Sequence, residues 1–358
     1  MKKIGILTAC RTNNNGTDLQ TLAMQNLFSE YFDTEIVNYK CEKLERSHKL
    51  LLRFSIVDVL RIPHRFFMNL SHGNFRRRLF RFSKRKYDKT TVREIDNIYD
   101  MVVVGSDQIW NMEITGYDLN FFLPWKNFFA MKWAYAPSLG VDDITNWEND
   151  YQISTYLRDF KKITVREADG VVALQKIGIE SKEVLDPLLA VNPELWASFK
   201  KPYRGKPYIL FYQVATSVKD ASAAIEYARN KGWDVIYILP PSRPIRGIKM
   251  RSFVSVERWL QYVQNAEMIV TDSYHGLSIC VSAHKNFRLV LMSQKSRNIR
   301  SLNLLNNIGC EDFILDKINM ETVPNWEDVE TVLEAKRKEA HEYIRQIAQE
   351  EDGTCLNQ

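Results

Sequence analysis

The sequence predicts an α/β protein of two doubly wound, Rossmann-like domains, with a basic helical insertion in the first. Three observations lead there. Short apolar runs alternate with segments of helical period along most of the chain, the signature of parallel α/β units. Polar turns follow several of those runs, where strands of a parallel sheet would meet helix N-termini. A segment carrying Pro193, Pro202, Gly205 and Pro207 divides the 358 residues into two parts of domain size.

In chain order, Ile4 to Thr8 is predicted to be a buried strand, and Thr17 and Asp18 to cap a helix whose Leu19, Leu22, Ala23, Leu27 and Phe28 share one face. Glu35 to Tyr39 supplies the next strand. Between Arg46 and Arg93 stand 14 Lys or Arg against only two acids, Asp58 and Asp88, interleaved with Leu50, Leu51, Leu52, Phe54, Ile56, Val57, Leu60, Phe66, Phe67 and Leu70 among other apolar residues. Strands are then expected at Met101 to Val104, Ala130 to Ala136 and Ile163 to Val165, followed by a helix from Glu167 to Ile177. A linker spans Asn192 to Pro207. Beyond it, strands at Tyr208 to Tyr212, Trp233 to Leu239, Met268 to Thr271 and Arg288 to Met292 alternate with helices at Lys219 to Asn230, Val256 to Gln264, Gly276 to Ala283 and Ile299 to Ile308. A last helix from Glu327 to Glu350 carries an apolar stripe suited to packing back on the first domain. The expected divisions are residues 1–190, 191–207, 208–325 and 326–358, with the insertion at 46–93.

Composition narrows the class. With 45% hydrophobic and 26% charged residues, the chain is globular rather than disordered or fibrous. Cys10, Cys41, Cys280, Cys310 and Cys355 lie far apart with no C-x-x-C pair, which argues for a reducing, cytoplasmic setting over a disulfide framework or zinc cluster. No stretch reaches the roughly 18 apolar residues of a membrane span, and no cleavable signal pattern opens the chain. The net charge of +5 hides the local excess in the insertion. Such a stretch reads as a solvated insertion packed on its own domain, as an amphipathic hairpin on an anionic membrane, or as a nucleic-acid patch. No nucleic-acid motif accompanies it, so no nucleic-acid partner is expected. Docking on anionic lipid would use Arg76, Arg77, Arg78, Lys84, Arg85 and Lys86.

Four strand-end segments carry the candidate chemistry. Thr12 to Asp18, TNNNGTD, offers amides, hydroxyls and Gly16 to an anion or to sugar hydroxyls, or is a plain Asn/Gly turn with a helix cap. Gly105 to Asn111, GSDQIWN, packs Asp107, Gln108 and Trp110 together. An acid leaving a buried strand can take a proton, and an indole can stack on a sugar; the alternative is an Asx turn over a buried Trp. In TVRE, Arg166 suits a carboxylate or phosphate, or an internal pair with Glu167, Asp169 or another acid. In TDSYHGLS, Asp272 and His275 flank a strand-to-helix turn where Gly276 lets backbone approach closely, which makes His275 a candidate acid. No pair of histidines has metal-ligand spacing, and neither a metal nor a resident cofactor is expected.

Taken together, NNNGTDLQ, MVVVGSDQIWN, YAPSLG (Tyr135 to Gly140), ITVRE, VLDPLL (Val184 to Leu189), MIVTDSYHGLS and NIRSLNLL (Asn298 to Leu305) resemble the polysaccharide pyruvyl transferase family. The resemblance implies a GT-B-like pair of domains, phosphoenolpyruvate as donor, and pyruvate placed as a ketal on a sugar of a cell-envelope or exopolysaccharide glycan, or on its lipid-linked precursor. It makes the first domain the acceptor side and the second the donor side. Catalysis is assigned to His275, Asp107 and Arg166, and donor binding to Arg166, His275, Gly276, Ser273 and Arg300. Acceptor binding is assigned to Asn14, Asn15, Gly16, Asp18, Asp107, Gln108 and Trp110. Some members carry an arginine two residues before the histidine, where this chain has Ser273; Arg300, Lys295 or Arg297 would have to supply that cation. The competing readings are a GT-B-like glycosyltransferase with a nucleotide-sugar donor and a noncatalytic glycan-binding protein. The implied setting is cytoplasmic, at the inner face of the membrane. The acceptor sugar and the oligomeric state are not legible in the sequence.

Overall fold

The computed structural model describes residues 1–50, 55–216 and 221–350. Leu51, Leu52 and Phe54 of the basic stretch, the Lys219 start of one expected helix, Cys355 and the tail 351–358 lie outside them. Two parallel sheets organise the chain. The first comprises β1 (Lys3–Leu7), β2 (Asp33–Tyr39), β3 (Phe82–Tyr87), β4 (Met101–Val104), β5 (Met131–Ala134), β6 (Lys162–Val165) and β7 (Lys182–Glu183), in spatial order 3-2-1-4-5-6-7. The second comprises β8 (Tyr208–Tyr212), β9 (Asp234–Ile238), β10 (Lys249–Arg251), β11 (Met268–Thr271) and β12 (Phe287–Leu289), in order 10-9-8-11-12. The strand order reverses direction between β1 and β4 and again between β8 and β11. At such switch points the connecting loops part to opposite faces and leave a crevice at the carboxyl ends of the strands.

The central strands form where apolar runs are short and continuous, because a parallel sheet is covered on both faces. MVVV of β4 and MIVT of β11 are buried throughout. β3, β7 and β10, which no apolar run announces, are all edge strands. In β3 the exposed Lys84, Arg85 and Lys86 follow one another, a composition that discourages edge-to-edge pairing. Among its described residues the insertion holds the helices Ile56–Leu60 and Ile62–Leu79 and the strand β3, with short helical turns at Leu44–His48 and Val92–Asn97 at its ends.

The core is continuous between the halves. The helix Asn15–Ser29 lends Leu19, Leu22 and Ala23 to a cluster that includes Trp259 and Leu277 of the second half. The expected linker holds a short helix, Glu194–Ala197, whose Trp196 is buried and donates from Nε1 to the Leu188 carbonyl at 3.0 Å. The last helix, Trp326–Glu350, packs Ala340, Ile344 and Ile347 against Ile4 and Ile6, and packs Val329 and Leu333 into the second half. It thus spans both sheets.

Two expectations near the first helix are corrected. Asn14, not Thr17 or Asp18, is the cap: its Oδ1 accepts from the Gly16 and Thr17 N–H groups at 2.8 and 3.4 Å. Asp18 is fully buried, with its two oxygens each 2.7 Å from His72 Nδ1 and Arg76 Nε on the long insertion helix. The carboxylate is spent on clamping that helix to the domain, so Asp18 does not line an acceptor site and Arg76 is not available to lipid. Arg78 and Arg85 are likewise paired, with Glu257 and Glu94.

Candidate functional site

A cleft of about 690 Å³ lies where the loops after β1 and β4 face the loop after β11. Asn14 and Ser273, the caps of the helices Asn15–Ser29 and Tyr274–Ser282, both line it, so two helix N-termini border one cavity. That geometry favours an anionic ligand. Asp107, Gln108 and Asn111 line the cleft from the first half, and Arg297 and Arg300 from the second.

At its floor, side chains from both halves meet around Gln20. With the amide turned to satisfy both ends, its nitrogen donates to His275 Nε2 at 2.8 Å, and its oxygen accepts from the Asp107 N–H at 2.6 Å and Arg166 Nη1 at 3.3 Å. Thr17 Oγ1 donates to Asp107 Oδ2 at 2.8 Å, and Asp107 Oδ1 lies 3.8 Å from both His275 Nε2 and Arg166 Nη2. Asp107 holds φ at 76°, a left-handed conformation that residues with side chains seldom enter and that clusters at functional turns. Gly16 sits against the imidazole: a β-carbon there would overlap His275 Cβ, Cγ and Nδ1. Gln20 escaped the motif analysis although it ends the quoted NNNGTDLQ segment. Its spacing of four from Gly16 puts both on one helix face.

Electrostatics sort the roles. Burial is the largest influence on His275 and pushes its pKa down to about 4; Asp107 pulls upward, and Arg166 and Arg300 add to the depression. The imidazole is therefore neutral at pH 7. Burial alone would raise the Asp107 carboxyl, but His275, Arg166 and the bonds from Gln108 N–H and Thr17 outweigh it and hold it below the usual range. A base in charged form thus stands beside a neutral histidine.

This predicts a stability signature. The unfolded chain takes up a proton at its ordinary His pKa near 6.5, whereas the folded chain does so only near pH 4. The stability held above pH 6.5 is thus lost as pH falls toward 4, by about 3 kcal/mol. Urea midpoints across that range are expected to fall more steeply for the parent than for His275→Gln. Equal slopes would show that the imidazole is not held in its neutral form by the fold.

Arg166 is fully enclosed. Its Nη1 lies 3.0 Å from Asp186 Oδ2 and its Nε 3.5 Å from Glu167 Oε2. The side chain reaches Asp107 but borders a separate small cavity of about 80 Å³ instead of the main cleft. The internal pairing is the structure's arrangement, and three carboxylates already surround this cation. Arg300 differs. It makes no ion pair among the described residues, lies over the Tyr274 ring at 5.2 Å from its centroid, and borders both cavities. Burial, then the neighbouring Arg166, lowers its pKa to about 10, so it stays charged at pH 7. Arg166 lies over the same ring at 4.7 Å.

Other assigned residues take structural places. Trp110 is fully buried, stacks on Phe122 and donates from Nε1 to the Phe121 carbonyl at 2.9 Å. Its ring faces belong to the core, so it offers none to a sugar. Trp110→Phe is expected to cost about 2–4 kcal/mol of stability, through the cavity left by the lost part of the indole and the unpaired Phe121 carbonyl, checked by urea midpoint. Asn15 is buried outside the cleft lining, and Gly276 permits close approach of Thr271 and Tyr212. The Ser273 hydroxyl accepts from the Gly276 N–H, and the Asp272 carboxylate holds the loop N–H groups of Val214, Ala215 and Thr216. Among the described residues, no group of three or more His, Cys, Asp or Glu is placed to hold a metal ion.

A family model described as polysaccharide pyruvyl transferase matches residues 14–293. The chain belongs to that family. The match runs from the Asn14 cap past the His275 turn and stops short of Arg300. Two solved structures share the fold. A UDP-GlcNAc 2-epimerase from Methanocaldococcus jannaschii is 12% identical, with a TM-score of 0.50 over 93% of this chain and 91% of that one. A UDP-glucosyltransferase from Polygonum tinctorium capable of glucosylating indoxyl, solved in complex with 3,4-dichloroaniline, is 7% identical, with a TM-score of 0.50 over 97% and 98%. At such identity the likeness concerns the fold alone, two GT-B-like α/β domains. No curated protein sequence gives a significant match. The pyruvyl transferase membership makes the chain a transferase of polysaccharide biosynthesis.

Proposed function

We propose that this pyruvyl transferase moves pyruvate from phosphoenolpyruvate onto two hydroxyls of a sugar, as a ketal. The observation that carries the reading is Arg300, a guanidinium with no ion pair among the described residues, facing the same cleft as His275 and the N-terminus of helix Tyr274–Ser282. Together they suit a small anion with a carboxylate and a phosphate. In this proposal Arg300 supplies the cation absent at Ser273, with Arg297 beside it. Arg166 acts from behind, fixing Asp107 and Gln20 and holding the carboxylate in its charged form.

The chemistry follows from those placements. Binding of a dianion raises the His275 pKa from its depressed value, so the imidazole gains a proton when donor arrives. That proton goes to the methylene carbon of phosphoenolpyruvate, leaving a positive charge shared between the central carbon and its oxygen. An acceptor hydroxyl attacks the central carbon and gives its proton to Asp107. A second hydroxyl of the same sugar then displaces phosphate, which leaves with that hydroxyl's proton. Asn14 and Gln108 border the acceptor side. The reaction is placed in the cytoplasm, on a cell-envelope glycan or its lipid-linked precursor.

The test is incubation of the protein with phosphoenolpyruvate and candidate glycan intermediates, reading phosphate release and the mass gain of a ketal-linked pyruvate. Thermal stabilisation by phosphoenolpyruvate and not by nucleotide sugars is expected alongside. Sugar transfer from a nucleotide donor with no phosphate release from phosphoenolpyruvate would overturn the reading.

A further inference from the structure

The insertion leaves much of its apolar surface in solvent. On the helix Ile62–Leu79 the inward positions are His72 and Arg76, bound to Asp18, with Phe75 between them in the core. The outward positions Pro63, Phe66, Leu70, Asn74 and Arg77 recur every three or four residues, and the first three are apolar. Phe66 is 54% exposed and Leu70 49%. The preceding helix, Ile56–Leu60, extends the same character, with Ile56 81%, Val59 53% and Leu60 71% exposed. A helix face turned to water is ordinarily polar, and an apolar cluster of this size marks an interaction site.

Charge identifies the partner. From Arg46 to Tyr87 the only acid is Asp58, whose carboxylate lies 2.6 Å from Arg65. Lys49, Arg61 and Arg77 make no ion pairs among the described residues. An apolar patch set among uncompensated cations matches the interface of an anionic bilayer, where side chains enter the acyl boundary and cations meet phosphates. Two copies of such a face would repel. We propose that the surface formed by Ile56, Val59, Leu60, Phe66 and Leu70 docks this protein on anionic lipid.

The site replaces the charge cluster named from sequence, since Arg76, Arg78 and Arg85 are engaged elsewhere. It also lies beside the cleft. Asn69 of the docking helix accepts from Asn13 Nδ2 at 2.5 Å, and Asn13 lines the cleft. Docking therefore holds the acceptor entrance near the bilayer, which selects a glycan carried on a membrane lipid. That last step rests on the proposed activity; the docking does not.

Flotation with vesicles of phosphatidylcholine, with and without phosphatidylglycerol, tests it. The parent is expected to co-float with the anionic vesicles and to release as salt rises. The double variant Leu60→Asp/Phe66→Asp, and separately Ile56→Asp, should each reduce the bound fraction roughly tenfold. Both should keep the parent's melting temperature and its phosphate release on a water-soluble acceptor. Lys84→Glu/Lys86→Glu, on the edge strand, should float as the parent does. Absence of parent flotation, undiminished flotation of the Asp variants, or loss in the edge-strand variant would each overturn the proposal. So would a parent dimer, seen by light scattering, that Leu60→Asp/Phe66→Asp turns into a monomer.

Discussion

Gly16→Val is expected to lower turnover by a factor of 10² to 10⁴ while leaving the two sheets folded, because it evicts the imidazole from its place. Gly16 lies in the first turn of the helix Asn15–Ser29 with ordinary helical backbone, so its lack of a side chain serves space and not φ. A β-carbon would overlap three atoms of His275, and both residues sit on helix N-termini held by caps. Rotation of the imidazole toward the cleft clears Cγ and Nδ1 and loses Gln20, but Cβ is fixed to the backbone, so the two helix N-termini must also move apart. Two readouts separate this from general damage. Phosphate release should collapse while a cooperative melting transition persists at a lowered temperature, and the His275 ring resonances should titrate nearer the ordinary 6.5 than about 4, since the displaced ring regains water. Near-parent turnover, or an unmoved titration, would show that the contact between Gly16 and His275 does not set the site.

Arg300→Met should reduce kcat/KM for phosphoenolpyruvate by 10² to 10³, the usual cost of removing one preorganised group that meets developing or bound charge. The loss should fall mainly on donor KM, with acceptor KM unchanged, since Arg300 borders the cleft on the second-half side. Stability moves the other way or not at all. The guanidinium makes no ion pair among the described residues, and burial and Arg166 both work against its charge. A melting temperature at or above the parent's, combined with failed stabilisation by phosphoenolpyruvate, is the expected pair of results. Retained donor affinity would move the anion site to Arg297 or to the Arg166 side and remove the observation on which the proposed donor rests.

Legibility followed burial. The central strands stood out because a strand covered on both faces carries an unbroken apolar run, as MVVV and MIVT do. β3, β7 and β10 did not, since an edge strand pairs on one side only and tolerates FSKRKY, KE or KMR. The site divided in a similar way. Asp107 and His275 were identifiable from strand-end position and chemistry, and they meet across the cleft floor. Trp110 and Asp18 were misplaced because an indole or a carboxylate in a polar segment has the same spelling whether it faces a ligand or a core. Only the stacking of Phe122 and the arrival of His72 and Arg76 from the insertion distinguish the two.

Family and fold class are thus written in local sequence, because strand ends and helix starts are short-range features with recognisable residue types. Tertiary structure alone decided which cation is open to a donor, that the insertion leaves apolar surface in solvent, and that Gln20 links the two halves. Each of these depends on side chains from separate elements arriving at one point, where their neighbours either neutralise a charge or leave it without a counter-charge. Arg166 and Arg300 are the clearest pair: identical in chemistry, they differ in setting, since Asp186, Glu167 and Asp107 enclose the first and the second has no ion pair among the described residues.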